Sequence, residues 1–106
     1  MTSDQIRIEC AKLDGWEYYN DPKDNPHCAS QTHRWFDGKT GCCSNGLYDD
    51  YADSYDSIIP LIQKQDDDTY ESLAAQSWYD NNKPLIRLTP LELCIALLKT
   101  KGLYHD

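Results

Sequence analysis

Cys28, His33, Cys42 and Cys43, with His27 alongside, are the side chains of this sequence best suited to metal chemistry. Two soft thiolates and an imidazole around one hairpin can build a tetrahedral zinc site. The spacing argues against it. No Cys-x-x-Cys pair occurs, and adjacent Cys42 and Cys43 on a strand would point to opposite faces. One of these two thiols is therefore expected to pack inward and the other to lie exposed, with no metal held. Nucleophilic catalysis needs a thiol or hydroxyl beside a base, and Cys28 with His27 or His33 is the only local pair. Gly38, Gly41 and Gly46 fall in turns and make no glycine-rich phosphate loop. With 18 acidic residues, neighbouring carboxylates arise by chance and carry no specific acid–base signal. The reading is a non-enzyme without a cofactor; a small metal- or thiol-dependent enzyme is the weaker alternative.

Two binding chemistries remain. Residues 44–80 carry 9 acids against Lys64 alone, while 1–43 carry 7 acids and 5 bases and 81–106 carry 2 acids and 4 bases. The net charge of −8 thus resides in the middle of the chain. Asp49, Asp53 and Asp56 fall about one turn apart on a predicted helix, next to Asp50, and Asp66, Asp67 and Asp68 follow. Such a row suits an opposing Lys/Arg surface, where complementary charge sets on-rate and partner choice. The blander reading is a solvated helix face with a helix cap. The second chemistry is aromatic. Trp35, Tyr48, Tyr51 and Trp78 are candidates to stack a nucleobase, provided that Arg34, Lys39 or Arg87 converge on its phosphate. An aromatic core is the competing explanation for these rings.

The elements that must position these groups come from a chain of 106 residues, the size of one domain. Apolar residues make up 40%, supplemented by 8 Tyr and 3 Trp, which points to an ordered protein with an aromatic core. No apolar run approaches a membrane span, and the start, Met-Thr-Ser-Asp-Gln, lacks the features of a signal peptide. Five cysteines, an odd number, then fit reduced thiols in a bacterial cytoplasm. The acidic balance leaves no footprint for nucleic acid and would repel anionic lipid.

Taken in order, Thr2 or Ser3 caps a first helix with Ile6, Cys10 and Leu13 on one side and Gly15 as its end. Trp16 to Tyr19 reads as a strand, 20–25 as a loop, and Thr32 to Phe36 as a second strand. A tight turn, Asp37 to Gly41, returns the chain through Cys42-Cys43-Ser44. A second helix lies within 50–65, starting at Asp53, with Tyr51, Tyr55, Ile58, Ile59 and Ile62 on one face and a kink at Pro60. A third helix is expected over 68–79, capped by Asp68, with Tyr70, Leu73, Ala74, Ser77 and Trp78 at helical spacing. Leu85 to Leu88 reads as a strand. The last helix, Thr89 to Gly102, is the core element: Thr89 and Glu92 form a capping box, Pro90 takes the first helical position, and Leu91, Cys94, Ile95 and Leu98 make one apolar face, widened by Ala96 and Leu97. Cys10 and Cys94 act there as small hydrophobes. The predicted fold is α+β, a small mostly antiparallel sheet sandwiched between helices in the order α-β-β-β-α-α-β-α.

Gly15-Trp16, the hairpin at Trp35-Phe36, Asp50-Tyr51 leading into Ser54-Tyr55-Asp56-Ser57-Ile58, and Thr89-Pro90 through Cys94-Ile95-Ala96-Leu97-Leu98-Lys99 to Gly102 resemble the small phage proteins of the phage ABA-sandwich type. The resemblance covers most of the chain, leaves 65–84 unmatched, and meets Leu103-Tyr104 where such proteins often carry an aromatic such as Trp. It implies a phage origin and a helix–sheet–helix fold, and it brings no catalytic residue. The expected function is that of a phage-encoded binding protein in the cytoplasm of the infected host. Its expected role is a counter-defence inhibitor whose acidic surface meets a basic host protein. The alternative partner is a nucleotide second messenger; homo-oligomerisation is left open.

Overall fold

The computed structural model describes residues 1–46 and 50–104. The first helix, α1 (Ser3–Leu13), begins at Thr2, whose hydroxyl accepts the Gln5 amide at 3.2 Å while the Gln5 side chain accepts the Thr2 amide at 2.9 Å. This capping box satisfies two donors that a helix start otherwise leaves orphaned. The helix buries Ile6, Cys10 and Ala11. Gly15, at φ +101°, then turns the chain into β1 (Trp16–Tyr18). β2 (Trp35–Asp37) and β3 (Cys42–Ser44) complete an antiparallel sheet in the order β1-β2-β3. The β2–β3 turn is set by Asp37, whose carboxylate accepts the Lys39 amide at 2.9 Å and the Thr40 hydroxyl at 3.0 Å. Gly38 donates its amide to the Gly15 carbonyl at 3.1 Å, and a Cβ at Gly38 would stand 2.7 Å from that oxygen. Only glycine permits this approach.

Register sorts the sheet into two faces. Trp16, Asp37 and Cys42 are cross-strand partners, as are Tyr18, Trp35 and Ser44, and by alternation they share a face. On it Trp16, Trp35, Asp37 and Ser44 are buried, with the two indoles edge to face at 6.0 Å. Glu17, Phe36 and Cys43 form the opposite face. The loop between β1 and β2, which includes a 310 turn at Pro22–Asp24, covers that face. His27 stacks on Phe36 at 3.7 Å and reaches Glu17 at 3.0 Å, and Asn25 Nδ2 lies 3.9 Å from Cys43 Sγ.

The remaining elements are helical. α2 (Tyr55–Gln63) starts at Ser54 rather than Asp53 and runs through Pro60 for less than one further turn. It buries Ile58, Leu61 and Ile62; Tyr51, before the helix, is fully buried as well. Tyr55 and Ile59, expected on this buried face, are instead 49% and 37% exposed. Tyr51 lies outside the helix, so helical spacing from it does not set the helix's phase. α3 (Asp67–Asn81) is capped by Asp66, not Asp68, through the Thr69 amide at 2.7 Å, and ends on Asn82 at φ +53°. It buries Leu73 and Ser77, while Trp78 turns outward at 54% exposure.

Leu85–Leu88 is not the expected strand. Leu85–Arg87 forms a 310 turn whose amides bond locally, Arg87 to Pro84 and Leu88 to Leu85. Tyr55 donates its hydroxyl to the Leu88 carbonyl at 2.7 Å, so a side chain takes a place that a neighbouring strand would occupy. α4 (Pro90–Thr100) follows, with the Thr89–Glu92 capping box in place. It packs against α1, α2 and α3. Its covered face is Leu93, Cys94, Ala96, Leu97 and Leu98; Cys94, Ala96, Leu97 and Leu98 were expected there, whereas Leu93 joins them and Leu91 and Ile95 are only partly buried. The architecture is α+β: four helices and a three-stranded antiparallel sheet among the described residues.

Asp14, which caps the C-terminus of α1, joins the layers. Its side chain is 8% exposed and accepts hydrogen bonds from Tyr51 Oη at 2.6 Å, Lys39 Nζ at 2.9 Å, and Lys64 Nζ. Burial opposes its charged form, but the bonds from Lys64, Tyr51 and Lys39 outweigh it and hold its pKa below the usual carboxylate range.

Two measurements follow from this packing. Leu98, fully buried in α4, should cost about 2–5 kcal/mol on Leu98→Ala, read as a lower denaturant midpoint. Asp14→Asn should cost roughly 2–4 kcal/mol near neutral pH, because two ammonium groups and a phenol lose a charged acceptor. A depressed carboxylate pKa means that the unfolded chain binds the proton more tightly. This stabilisation is therefore complete above about pH 4 and disappears as pH falls through the lower folded value. The stability gap between parent and Asp14→Asn should narrow on acidification; a gap independent of pH would remove the carboxylate's charge from the account.

Candidate functional site

The acidic residues of the middle segment separate into two groups. Asp50 is half-buried, 3.8 Å from Arg7 Nη1, and Asp53 bonds to it, so proximity to Asp50 raises the Asp53 pKa. Asp56, Asp66, Asp67 and Asp68 are exposed on α2 and at the start of α3. Asp66 doubles as the α3 cap, and its bond from Thr69 lowers its pKa. Asp49 lies outside the described residues. The expected row of Asp49, Asp53 and Asp56 is thus divided: Asp53 belongs with Asp50 and Arg7, while Asp56 stands on α2, beyond the Ser54 cap.

Beside the second group is an apolar groove of about 230 Å³, lined by Ile59, Ile62, Tyr70, Leu85, Ile86 and Leu93. Ile59, Tyr70 and Ile86 are 37%, 48% and 89% exposed. Asp56 is one helical turn before Ile59, and Asp66 and Asp67 are one turn before Tyr70, so carboxylates flank the groove along both helices. The sequence reading missed this feature. Ile59 fitted a core spacing, and Ile86 fitted a strand. The 310 turn presents Ile86 to solvent while Leu88 enters the core.

The candidate aromatics do not converge. Tyr51 is fully buried with its hydroxyl on Asp14, Trp35 is 5% exposed in the sheet core, and Trp78 stands on α3. Tyr48 lies outside the described residues. Lys39 is bound to Asp14, and Arg87 sits on the 310 turn. Arg34 lines a cleft of about 310 Å³, which it shares with Asp4, Arg7, Ile8, Tyr18, Trp35 and Asn45. Arg7 there is engaged by Asp4 and Asp50.

Adjacent Cys42 and Cys43 point to opposite faces of β3, and neither is fully buried. Cys42 is exposed, with Sγ 3.9 Å from the Thr40 carbonyl, and Cys43 faces the 19–34 loop. Cys28 Sγ is 3.2 Å from Ser30 Oγ and 3.1 Å from His33 Nδ1. Ser30, then His33 and the Thr32 backbone, lower the Cys28 pKa to about 5. Asn25, 2% exposed, organises the loop: its amide donates to the His33 carbonyl at 3.0 Å, and its oxygen accepts the His27 amide at 3.0 Å. His27 is directed to Phe36 and Glu17 instead of toward a thiol. Among the described residues no three His, Cys, Asp or Glu side chains are arranged to hold a metal ion. Nor is any helix of the described residues long and apolar enough to cross a membrane.

Compared with family models, with curated proteins and with solved structures, the chain finds no match in any of the three. Chain geometry and chemistry therefore carry the functional argument.

Protein purified without chelator should contain no stoichiometric zinc, and chelator should leave its Tm unchanged. Elemental analysis giving about one zinc per chain would overturn this and make the 28–43 segment a metal-stapled unit.

Proposed function

We propose that the protein is a phage-encoded, non-enzymatic inhibitor that acts in the cytoplasm of the infected bacterium by binding a host defence protein. The phage assignment rests on the resemblance of the four sequence segments described above. The binding assignment rests on one observation: an open apolar groove at Ile59, Tyr70 and Ile86 is flanked by the exposed carboxylates of α2 and α3. Apolar side chains left uncovered and rimmed by charge suit a partner surface. Its occupant is a basic segment of the host protein that places an apolar side chain in the groove and Lys or Arg against Asp56, Asp66, Asp67 and Asp68. Charge complementarity favours this partner, because residues 44–80 contain 9 acids and one base, Lys64, which Asp14 already holds. The carboxylates would steer encounter, and the groove would supply residence time.

One observation favours a second reading, a sponge for a nucleotide immune signal. Arg34, Arg7 and Tyr18 share the 310 Å³ cleft and could offer charge and a stacking ring to a nucleotide. Asp4 and Asp50 on Arg7 weaken that offer to a phosphate.

Proteins captured from bacterial lysate should be compared between the parent and a variant carrying Asp56→Asn, Asp67→Asn, Asp68→Asn and Ile86→Ser. The isolated partner should associate more slowly with the three Asn changes alone and dissociate faster with Ile86→Ser. Parent binding should weaken steeply toward 0.5 M salt, where the Debye length is roughly 4–5 Å. A partner that binds parent and variant equally, without salt dependence, would exclude this face. For the sponge, added nucleotide should raise the Tm, and Arg34→Ala should abolish that rise.

A further inference from the structure

We infer that Cys28 and Cys43 form a reactive dithiol which a small hydroperoxide converts to an intramolecular disulfide, joining the 19–34 loop to β3. The site is separate from the proposed docking face. Three geometric observations carry it. Cys28 is 8% exposed, and its Sγ sits among polar groups, Ser30 Oγ at 3.2 Å and His33 Nδ1 at 3.1 Å; Ser30 Oγ is itself 2.8 Å from Thr32 Oγ1. These groups can donate to a thiolate and stabilise it. Cys43 lies on the sheet face that this loop covers and is partly buried there. Asn25 fixes the meeting, bonding to the His33 carbonyl at 3.0 Å while lying 3.9 Å from Cys43 Sγ.

The other cysteines are excluded by position. Cys10 and Cys94 are wholly buried, and Cys42 is directed to the other sheet face by alternation. The two thiols that meet also differ in character. Cys28 titrates near pH 5, whereas burial, together with the adjacent Cys28, raises the Cys43 pKa. A thiolate beside a protonated thiol is the arrangement of an attacking and a resolving cysteine.

The chemistry balances in two steps. The Cys28 thiolate attacks one peroxide oxygen, an S–O bond forms as the O–O bond breaks, and the departing oxygen takes a proton to leave as water or an alcohol. Sulfur is oxidised by two electrons and the peroxide is reduced. Cys43 Sγ then attacks the Cys28 sulfenic sulfur. The S–S bond forms, the S–O bond breaks, and hydroxide leaves with the Cys43 proton as water.

The test uses the whole chain and hydrogen peroxide, followed by alkylation of remaining thiols and peptide mapping. One Cys28–Cys43 crosslink should form, with three thiols still alkylated, reversed by dithiothreitol and accompanied by a higher Tm. In Cys43→Ser, a sulfenic acid should persist at Cys28 and react with dimedone. In the reduced parent at pH 6, iodoacetamide should modify Cys28 about tenfold or more faster than Cys42. His33→Ala should reduce that advantage. A crosslink through Cys42, a crosslink between chains, or five free thiols after peroxide would overturn the inference; so would equal iodoacetamide rates at Cys28 and Cys42 in the parent.

Discussion

A single carboxylate, Asp14, ties together parts of the chain that share no regular hydrogen bonding. It ends α1, yet its donors come from the β2–β3 turn through Lys39, from the segment before α2 through Tyr51, and from the end of α2 through Lys64. A buried charge is tolerated only when its lone pairs are occupied, and three donors arriving from three segments meet that requirement. The geometry fixes the rest in turn. Gly15 must leave α1 with positive φ, Gly38 must pass against its carbonyl, and the hairpin that carries Lys39 can then stand beside α1. The same bond holds Tyr51 inside the core, where Cys94 donates its thiol to the Tyr51 carbonyl at 2.9 Å. Sheet, α2 and α4 therefore share one reference point.

From that point the sheet's alternation creates two environments three residues wide. The face toward the helices takes indoles and becomes core. The other, Glu17, Phe36 and Cys43, is too polar and too small to pack a helix, and a loop organised by Asn25 closes over it. Polar loop groups then crowd around Cys28, and the pKa shift of its thiol arises from the same bonds that shape the loop. Structure and reactivity have one cause here.

The helical side follows a different economy. α4 is covered on several sides, so α2 and α3 spend their best apolar positions on it: Ile58, Leu61, Ile62 and Leu73. Two of the hydrophobic residues they leave uncovered, Ile59 and Tyr70, meet Ile86 at the surface, next to carboxylates that the core cannot accept. The groove is thus a remainder of packing around α4, flanked by charge.

Local signals made much of this legible. Thr2 with Gln5, and Thr89 with Glu92 behind Pro90, announce helix starts because capping is satisfied by residues three apart. Gly15, the Asp37–Gly41 turn and the opposition of Cys42 and Cys43 are likewise local, fixed by backbone conformation and strand alternation. The α+β class follows from the order of such elements. Phase and partnership were not legible. The Leu88 carbonyl finds its donor in a Tyr55 hydroxyl 33 positions away, and whether Ile59 or Leu61 faced inward depended on where α4 lay. Tyr51 and Trp35 carried the same chemistry whether they lined a pocket or a core, and burial decided for the core. Cys28, His33 and Cys43 were recognisable as a group by residue type, but their distances depended on Asn25 folding the loop onto the sheet. The sequence by itself determined the caps, turns and charge segregation, whose energies reside within a few residues. Only the tertiary structure decided which faces met and which side chains were left uncovered, because those energies come from contacts between segments distant along the chain.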